Sequence, residues 1–264
     1  MLHLRRDMTL TRFRQVVDAH LAPLGSLYRS LRDALYYNRS RKTRFGFTLA
    51  GDSRMTADDW EPEEIKLFLD LLPEHDAVVD VGANIGLYTC LAASKGKFTI
   101  AVEPSPRNVR YLLRNLVENS LKDVVVYPMG LADTSGVKML YGYGGMASFV
   151  NGWGHSERGE PVSTTTLDEL LGSRFHGERL LVKVDVEGYE SDVLRGATAT
   201  LTREPRPTWL VEILQSDPFI PGGENREFDA TLKVFADAGY ERRRIDRRSF
   251  VFHSSNLVSS STLT

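Results

Sequence analysis

The chain has 264 residues, room for one domain with an appendage. Apolar residues make up 42% and charged residues 26%, which excludes wholesale disorder, and a net charge of −2 excludes a nucleic-acid-binding charge spread over the whole molecule. One cysteine, Cys90, excludes a disulfide framework and a Cys-cluster zinc site, and no run of roughly 18 apolar residues is present to span a membrane.

Residues 1–44 hold ten Lys/Arg against Asp7, Asp18 and Asp33, a local charge of +7 that leaves −9 for the remainder. Val17, Leu21, Leu24, Leu27, Leu31 and Leu35 recur at helical spacing, with Pro23 and Gly25 splitting the stretch into two short helices. Residues 1–60 therefore read as an N-terminal helical cap. Its basic face is either simply solvated or a docking surface for an anionic partner, such as a membrane surface or an acidic carrier protein. The stretch lacks the apolar core of a secretory signal and has only three serines, so a cytoplasmic location is the expectation.

Glu61 to Leu72 form a helical pattern with Ile65, Phe68, Leu69 and Leu72 on one face, closed by Pro73. From Ala77 onward, short apolar runs alternate with amphipathic ones. AVVDV (77–81) is a strand, IGLYTCLAASKG (85–96) a helix, and FTIAV (98–102) a strand. Ser105 and Pro106 then open a helix with Val109, Leu112, Leu113, Leu116 and Val117 on its expected buried face. VVVY (124–127) is a third strand. Thr166 and Glu169 form a capping-box pair, LLVKV (180–184) is a strand, and Val193, Leu194, Ala197 and Leu201 mark the helix after it. WLVEIL (209–214), a helix through Phe228 to Ala236, and two closing strands (240–245, 249–253) complete a domain over 61–254, followed by a polar tail, 255–264. This alternation predicts an α/β fold: parallel strands, helices on both faces, and an antiparallel edge strand from the closing hairpin. Cys90 reads as core packing.

In open α/β sheets ligands bind beyond the carboxyl ends of the strands. After the first strand comes Asp80-Val81-Gly82-Ala83-Asn84-Ile85-Gly86, a glycine turn opening a helix. Glu103 follows the second strand, 23 residues after Asp80, placed to accept both hydroxyls of a ribose. The dinucleotide pattern G-x-G-x-x-G fails, because Asn84 and Leu87 stand at its second and third glycine positions, and no Walker lysine follows. Asp80 is a poor neighbour for phosphate and a good one for a cation. S-adenosylmethionine, with a ribose, no phosphate, a sulfonium and an ammonium, fits that preference.

VVDVGANIGLYT followed by VEPSP resembles the cofactor half of class I S-adenosylmethionine-dependent methyltransferases. KVDVEGYE (183–190), with STTTLDEL (163–170) ahead of it, is similar to the FkbM-type family, and the likeness covers roughly residues 60–215. The resemblance implies a Rossmann-like sheet of seven strands with the last antiparallel, and methyl transfer to a hydroxyl of a sugar, glycoside or other secondary metabolite such as a polyketide. It also implies that Asp80, Gly82, Ala83, Asn84 and Gly86 surround the methionine portion and that Glu103 holds the ribose. Pro104 and Ser105 would border the adenine. Gly130, Leu131 and Ala132 would pack near the base, with Asp133 toward its amino group.

Asp185 and Glu187 follow the fourth strand, where the transferable methyl should lie. Methyl transfer needs the acceptor oxygen placed and its proton removed. The expectation is that Asp185, helped by Glu187, orients or deprotonates the acceptor, with capping of the next helix as the plainer role for Glu187. His155 is an alternative base. Glu212 shares the rim, so Asp185, Glu187 and Glu212 offer oxygen ligands to a magnesium ion, although no metal site is assigned. The glycine- and aromatic-rich stretch 141–159 reads as an acceptor pocket or a plain loop, and 217–227 as a lid hinged at Gly222 and Gly223. A homodimer is left open. The competing functions are an NAD-dependent oxidoreductase, a nucleic-acid N-methyltransferase, which would want Asn/Asp-Pro-Pro-aromatic where Asp185-Val186-Glu187-Gly188 stands, and a non-catalytic binding module.

Overall fold

Residues 39–156 and 159–254 are described by a computed structural model. The two helices expected before residue 39 and the polar tail lie outside the described residues. Residues 39–60 hold no α-helix. Strands β1 (Arg41–Lys42) and β2 (Thr48–Leu49) pair antiparallel, and a 3-10 turn follows at Ser53–Thr56. Phe47 and Leu49 are buried in the main core, and two asparagines dock the segment. The Asn119 amide oxygen accepts from Thr48 N at 2.8 Å while its Nδ2 donates to Thr48 O. Asn115 does the same for Ala50, and its Nδ2 also donates to Ile85 O at 2.8 Å. A buried amide left without such partners would cost about 1–3 kcal/mol, so these residues bind the segment to the core firmly.

Helix α1 (Pro62–Leu71) leads into β3 (Ala77–Val81), α2 (Leu87–Ser94), β4 (Phe98–Val102), α3 (Pro106–Glu118) and β5 (Val124–Tyr127). A small second sheet follows, from β6 (Gly130–Leu131), β7 (Gly136–Tyr141) and β8 (Gly159–Thr165), in the order β6-β8-β7. Then come α4 (Leu167–Leu171), β9 (Leu180–Val184), α5 (Glu190–Arg195), α6 (Thr198–Thr202), β10 (Thr208–Glu212), α7 (Phe228–Asp237), β11 (Tyr240–Arg244) and β12 (Ser249–Ser254). Among the described residues no helix is long and apolar enough to cross a membrane.

The main sheet has seven strands in the order β11-β12-β10-β9-β3-β4-β5, all parallel except β12. Strand alternation divides its core in two. Val79, Val182, Val211 and Phe252 face α4 to α7, while Val78, Leu181, Leu210 and Val251 face α1 to α3. The expected antiparallel edge strand is corrected here. The antiparallel strand β12, SFVFHS, is buried between β10 and β11, and the edge belongs to β11, YERRR. A run of charges keeps an edge soluble and unavailable for pairing, whereas a Phe-Val-Phe run belongs inside.

The buried face of α3 also differs from the expected one. Leu113 and Val117 are exposed, Val117 at 78%, and Asn108, Tyr111, Leu112, Asn115 and Leu116 point inward. Specific amide partners on the neighbouring loops outweigh the hydrophobic pattern there. The capping box at α4 is half-formed: Thr166 Oγ1 accepts from Glu169 N, but the Glu169 carboxylate takes the hydroxyls of Ser135 and Thr165 instead. Cys90 is fully buried, and burial pushes its thiol up to about 12.

Candidate active site

Two chambers open at the carboxyl ends of β3, β4, β9 and β10. The first is lined by Val81, Val102, Glu103, Pro104, Asn108, Met129, Gly130, Leu131, Gly144 and Ala147 to Phe149. The second, the roomier of the two, is lined by Arg54, Trp60, Glu61, Asp80, Tyr88, Trp153, Lys183, Glu212, Phe219 and Arg248, among others. Gly82, Asn84, Gly145, Asp185 and Glu187 line both and so form the junction between them.

The glycine turn makes that junction. Gly82 and Ala83 donate backbone N–H groups to Val102 O at 2.9 and 3.0 Å, and Asp185 N donates to Val81 O, drawing three strand ends together. At φ +81° Gly82 has a left-handed backbone, and a Cβ there would lie 1.8 Å from the Asp185 carbonyl oxygen. Only glycine fits. Asn84 also has positive φ, as do Glu61 and Glu187, so three non-glycine residues in the left-handed region line the cavity. Such strain concentrates at functional sites.

Glu103 is the anchor of the first chamber. Its carboxylate accepts from Asn84 N at 2.8 Å, Ser105 N at 2.9 Å and Asn108 Nδ2 at 3.2 Å. Burial nevertheless raises it to about 7. Among the described residues no lysine or arginine lines this chamber.

Asp80 is buried at the top of β3, where burial raises it to about 6, and it accepts from Thr89 Oγ1 at 2.5 Å. Ala83 lines the second chamber. Gly86 packs toward Leu112 and lines neither chamber. Ser105 acts through its backbone N–H and Ala132 is buried behind the wall. Asp133 stands on the surface with Lys138 Nζ at 3.3 Å, outside both chambers.

Glu187 does not cap α5, whose N-cap is Tyr189. Its Oε2 accepts from Trp153 Nε1 at 3.0 Å, and its carbonyl accepts from Ser148 Oγ at 2.7 Å. Burial, followed by the neighbouring Asp185 charge, raises its carboxyl to about 8. His155 is exposed, its ring edge-on to Phe219 at 6.2 Å, and it lines neither chamber. The 141–159 stretch divides its labour: Ser148 and Phe149 wall the first chamber and Trp153 the second. From the 217–227 loop, Asp217 and Phe219 reach the second chamber, while Gly222 and Gly223 do not.

Among the described residues no three His, Cys, Asp or Glu side chains converge to hold a metal ion, which leaves the magnesium alternative without a site there. Glu212 is paired with Arg248 at 3.2 Å instead. Burial, followed by the Asp185 charge, raises Glu212 well above the usual range. A cation does stand nearby: Lys183 Nζ lies 2.9 Å from Glu64 Oε1 and 3.5 Å from Asp185 Oδ2. Sequence reasoning passed over Lys183, Asn108, Trp60, Glu61 and Arg248. A lone charge inside LLVKV was a usable signal for the first, since lysine is almost never fully buried without a partner. Nothing local marked the others.

A model of the methyltransferase FkbM domain matches residues 80–242. The hexuronic acid methyltransferase AglP of Haloferax volcanii is 32% identical over 141 residues, which are 53% of this chain and 58% of that relative, so the match spans less than two thirds of its length. Among solved structures, precorrin-6y C5,15-methyltransferase from Geobacter metallireducens aligns with a TM-score of 0.46 at 10% identity, covering 77% of this chain and 91% of that one. Aeropyrum pernix fibrillarin aligns at 0.44 and 14% identity, covering 83% and 82%.

Proposed function

The chain belongs to the FkbM methyltransferase family, and from that premise we propose that it is an S-adenosylmethionine-dependent O-methyltransferase acting on a hydroxyl of a sugar. The observation that carries the reading is the pair of chambers meeting at Gly82, Asn84, Gly145, Asp185 and Glu187. A two-substrate transfer needs one compartment for the donor and another for the acceptor, with the reacting atoms at their common wall.

The first chamber suits a nucleoside without phosphate. Glu103 offers a carboxylate to ribose hydroxyls, and among the described residues no lysine or arginine lines the chamber to meet a pyrophosphate. Asp185 at the junction and Asp80 beside it suit a positively charged ligand. The residues therefore fit S-adenosylmethionine, which would be held by Glu103, Asn84, Pro104, Gly130 and Leu131 and which supplies, when bound, an electrophilic methyl on a sulfonium.

The second chamber offers Trp60, Trp153 and Phe219, whose rings can cover a sugar face, together with carboxyls that can take its hydroxyls. The name of the AglP relative supports a sugar acceptor as well. Asp185 orients the acceptor hydroxyl and takes its proton. Glu187, raised to about 8, keeps its proton at neutral pH and donates to the acceptor while Trp153 fixes its direction.

Incubation with methyl-labelled S-adenosylmethionine and a panel of sugars, glycosides, uronates and polyketides tests the reading, with label expected on a sugar oxygen. The absence of both calorimetric binding of S-adenosylhomocysteine and label transfer would overturn it.

A further inference from the structure

Lys183 carries the sole charge of β9, and alternation puts it on the face of Leu181, toward α1 and α2. Its side chain is 1% exposed. Besides Glu64 and Asp185, it has the Tyr88 ring below it at 4.6 Å from the centroid. Glu64, also 1% exposed, is itself held: the Tyr88 hydroxyl lies 3.0 Å from Oε1, and Ser249 Oγ donates to Oε2. Burial alone would lower the Lys183 amine, but the charges of Glu64, then Asp185 and Glu61, hold it well above its usual value.

Stability does not call for this arrangement. Well-packed apolar residues commonly replace a buried ion pair at no loss, or with a gain. What a methionine at 183 could not do is present positive charge to Asp185. Of the two carboxylates beside Lys183, Glu64 is sealed, and Asp185, at 29% exposed, faces both chambers.

We infer that Lys183 is a positioning residue whose ammonium, neutralised from within by Glu64, holds the Asp185 carboxylate at the chamber junction. The inference rests on the proposed methyl transfer. The ammonium keeps Asp185 Oδ2 turned toward the strand, which leaves Oδ1 for the acceptor hydroxyl and its proton.

Because K183M alone strands a buried carboxylate, the deciding variant of the full chain is K183M/E64Q, which removes both charges together. It should fold with an unchanged circular-dichroism spectrum, bind S-adenosylhomocysteine within roughly threefold of the parent, keep its acceptor KM within roughly threefold, and lose roughly 100-fold in kcat. Its crystal structure with S-adenosylhomocysteine should show the Asp185 side chain in more than one rotamer. E64Q alone, which keeps the ammonium, should lose less than roughly fivefold in kcat. The inference fails if the double variant turns over at close to the parent rate or if Asp185 has not moved. It fails too if the variant does not fold or loses cofactor affinity in step with turnover, since Lys183 would then serve the fold. A parent that transfers no methyl group would bring down the functional reading, while the Asp185 rotamers would still decide the role of Lys183.

Discussion

The two chambers share a wall but are built from different material. The first is made at the ends of β3 and β4 from residues close in sequence: a glycine turn, an acid and a proline-capped helix, joined by Gly130, Leu131 and the 144–149 loop. Its contacts with Glu103 come largely from backbone N–H groups. The second is assembled from side chains far apart in the chain: Arg54 and Trp60 before the sheet begins, Trp153 from the connection between β7 and β8, Phe219 after β10, and Arg248 just before the last strand. Backbone geometry set by a short motif can hold one ligand in many proteins, whereas a wall of imported side chains can be changed piece by piece. On the proposed reading the first chamber would take the methyl donor and the second the acceptor.

The largest expected effect tests the backbone-built chamber. Gly82→Ala would push a methyl group against the Asp185 carbonyl in a backbone conformation alanine resists, and S-adenosylhomocysteine affinity should fall by roughly 1000-fold, about 4 kcal/mol, by calorimetry. Retained affinity would show that the turn can relax and that the first chamber is not rigid. Next, Asp185→Asn should cut kcat by roughly 100- to 1000-fold while leaving cofactor affinity within several-fold. Equal losses in both would erase the distinction between donor and acceptor sides. Glu103→Gln should do the opposite, weakening S-adenosylhomocysteine binding by roughly 10- to 100-fold with little change in kcat at saturating donor. Trp153→Phe removes the N–H that orients Glu187, and a loss of roughly tenfold in kcat with unaltered donor binding is expected. Unchanged turnover would relieve Trp153 of that role.

The smallest effect is on stability. Burial raises Asp80 to about 6, Glu61 and Glu103 to about 7 and Glu187 to about 8. The unfolded chain releases these protons near the ordinary values of 3.8 for Asp and 4.5 for Glu, while the folded protein keeps them. Through these four groups the folded protein binds more protons than the unfolded chain across this window, and their contribution to ligand-free stability falls as pH rises. The melting temperature should drop by a few degrees between about pH 5 and 8. A rise over the same interval would mean that these carboxyls are better solvated than their burial implies.

Much of the fold was legible because strand and helix periodicity report burial directly. AVVDV, FTIAV and LLVKV all stand as strands in the expected order. Where the reading missed, polar contacts over long separations had overridden the local pattern. Asn108 and Asn115 turned α3 so that Val117 faces solvent, and the β7–β8 hairpin escaped notice because GVKMLY lies largely exposed and shows no clean alternation. The resemblance implies Asp133 as a partner of the base, yet Lys138 on the next strand draws it to the surface.

By itself the sequence determined the parallel sheet, the glycine bend and the acid facing it, since each depends on residues only a few positions apart or on a repeating pattern. The tertiary structure alone decided that β12 would enter the sheet beside β10, that Glu64 would meet Lys183 across 119 positions, and that Trp153 would take hold of Glu187. Those outcomes depend on which buried charges and ring N–H groups find partners once the layers close, and no local spacing encodes a partner that distant.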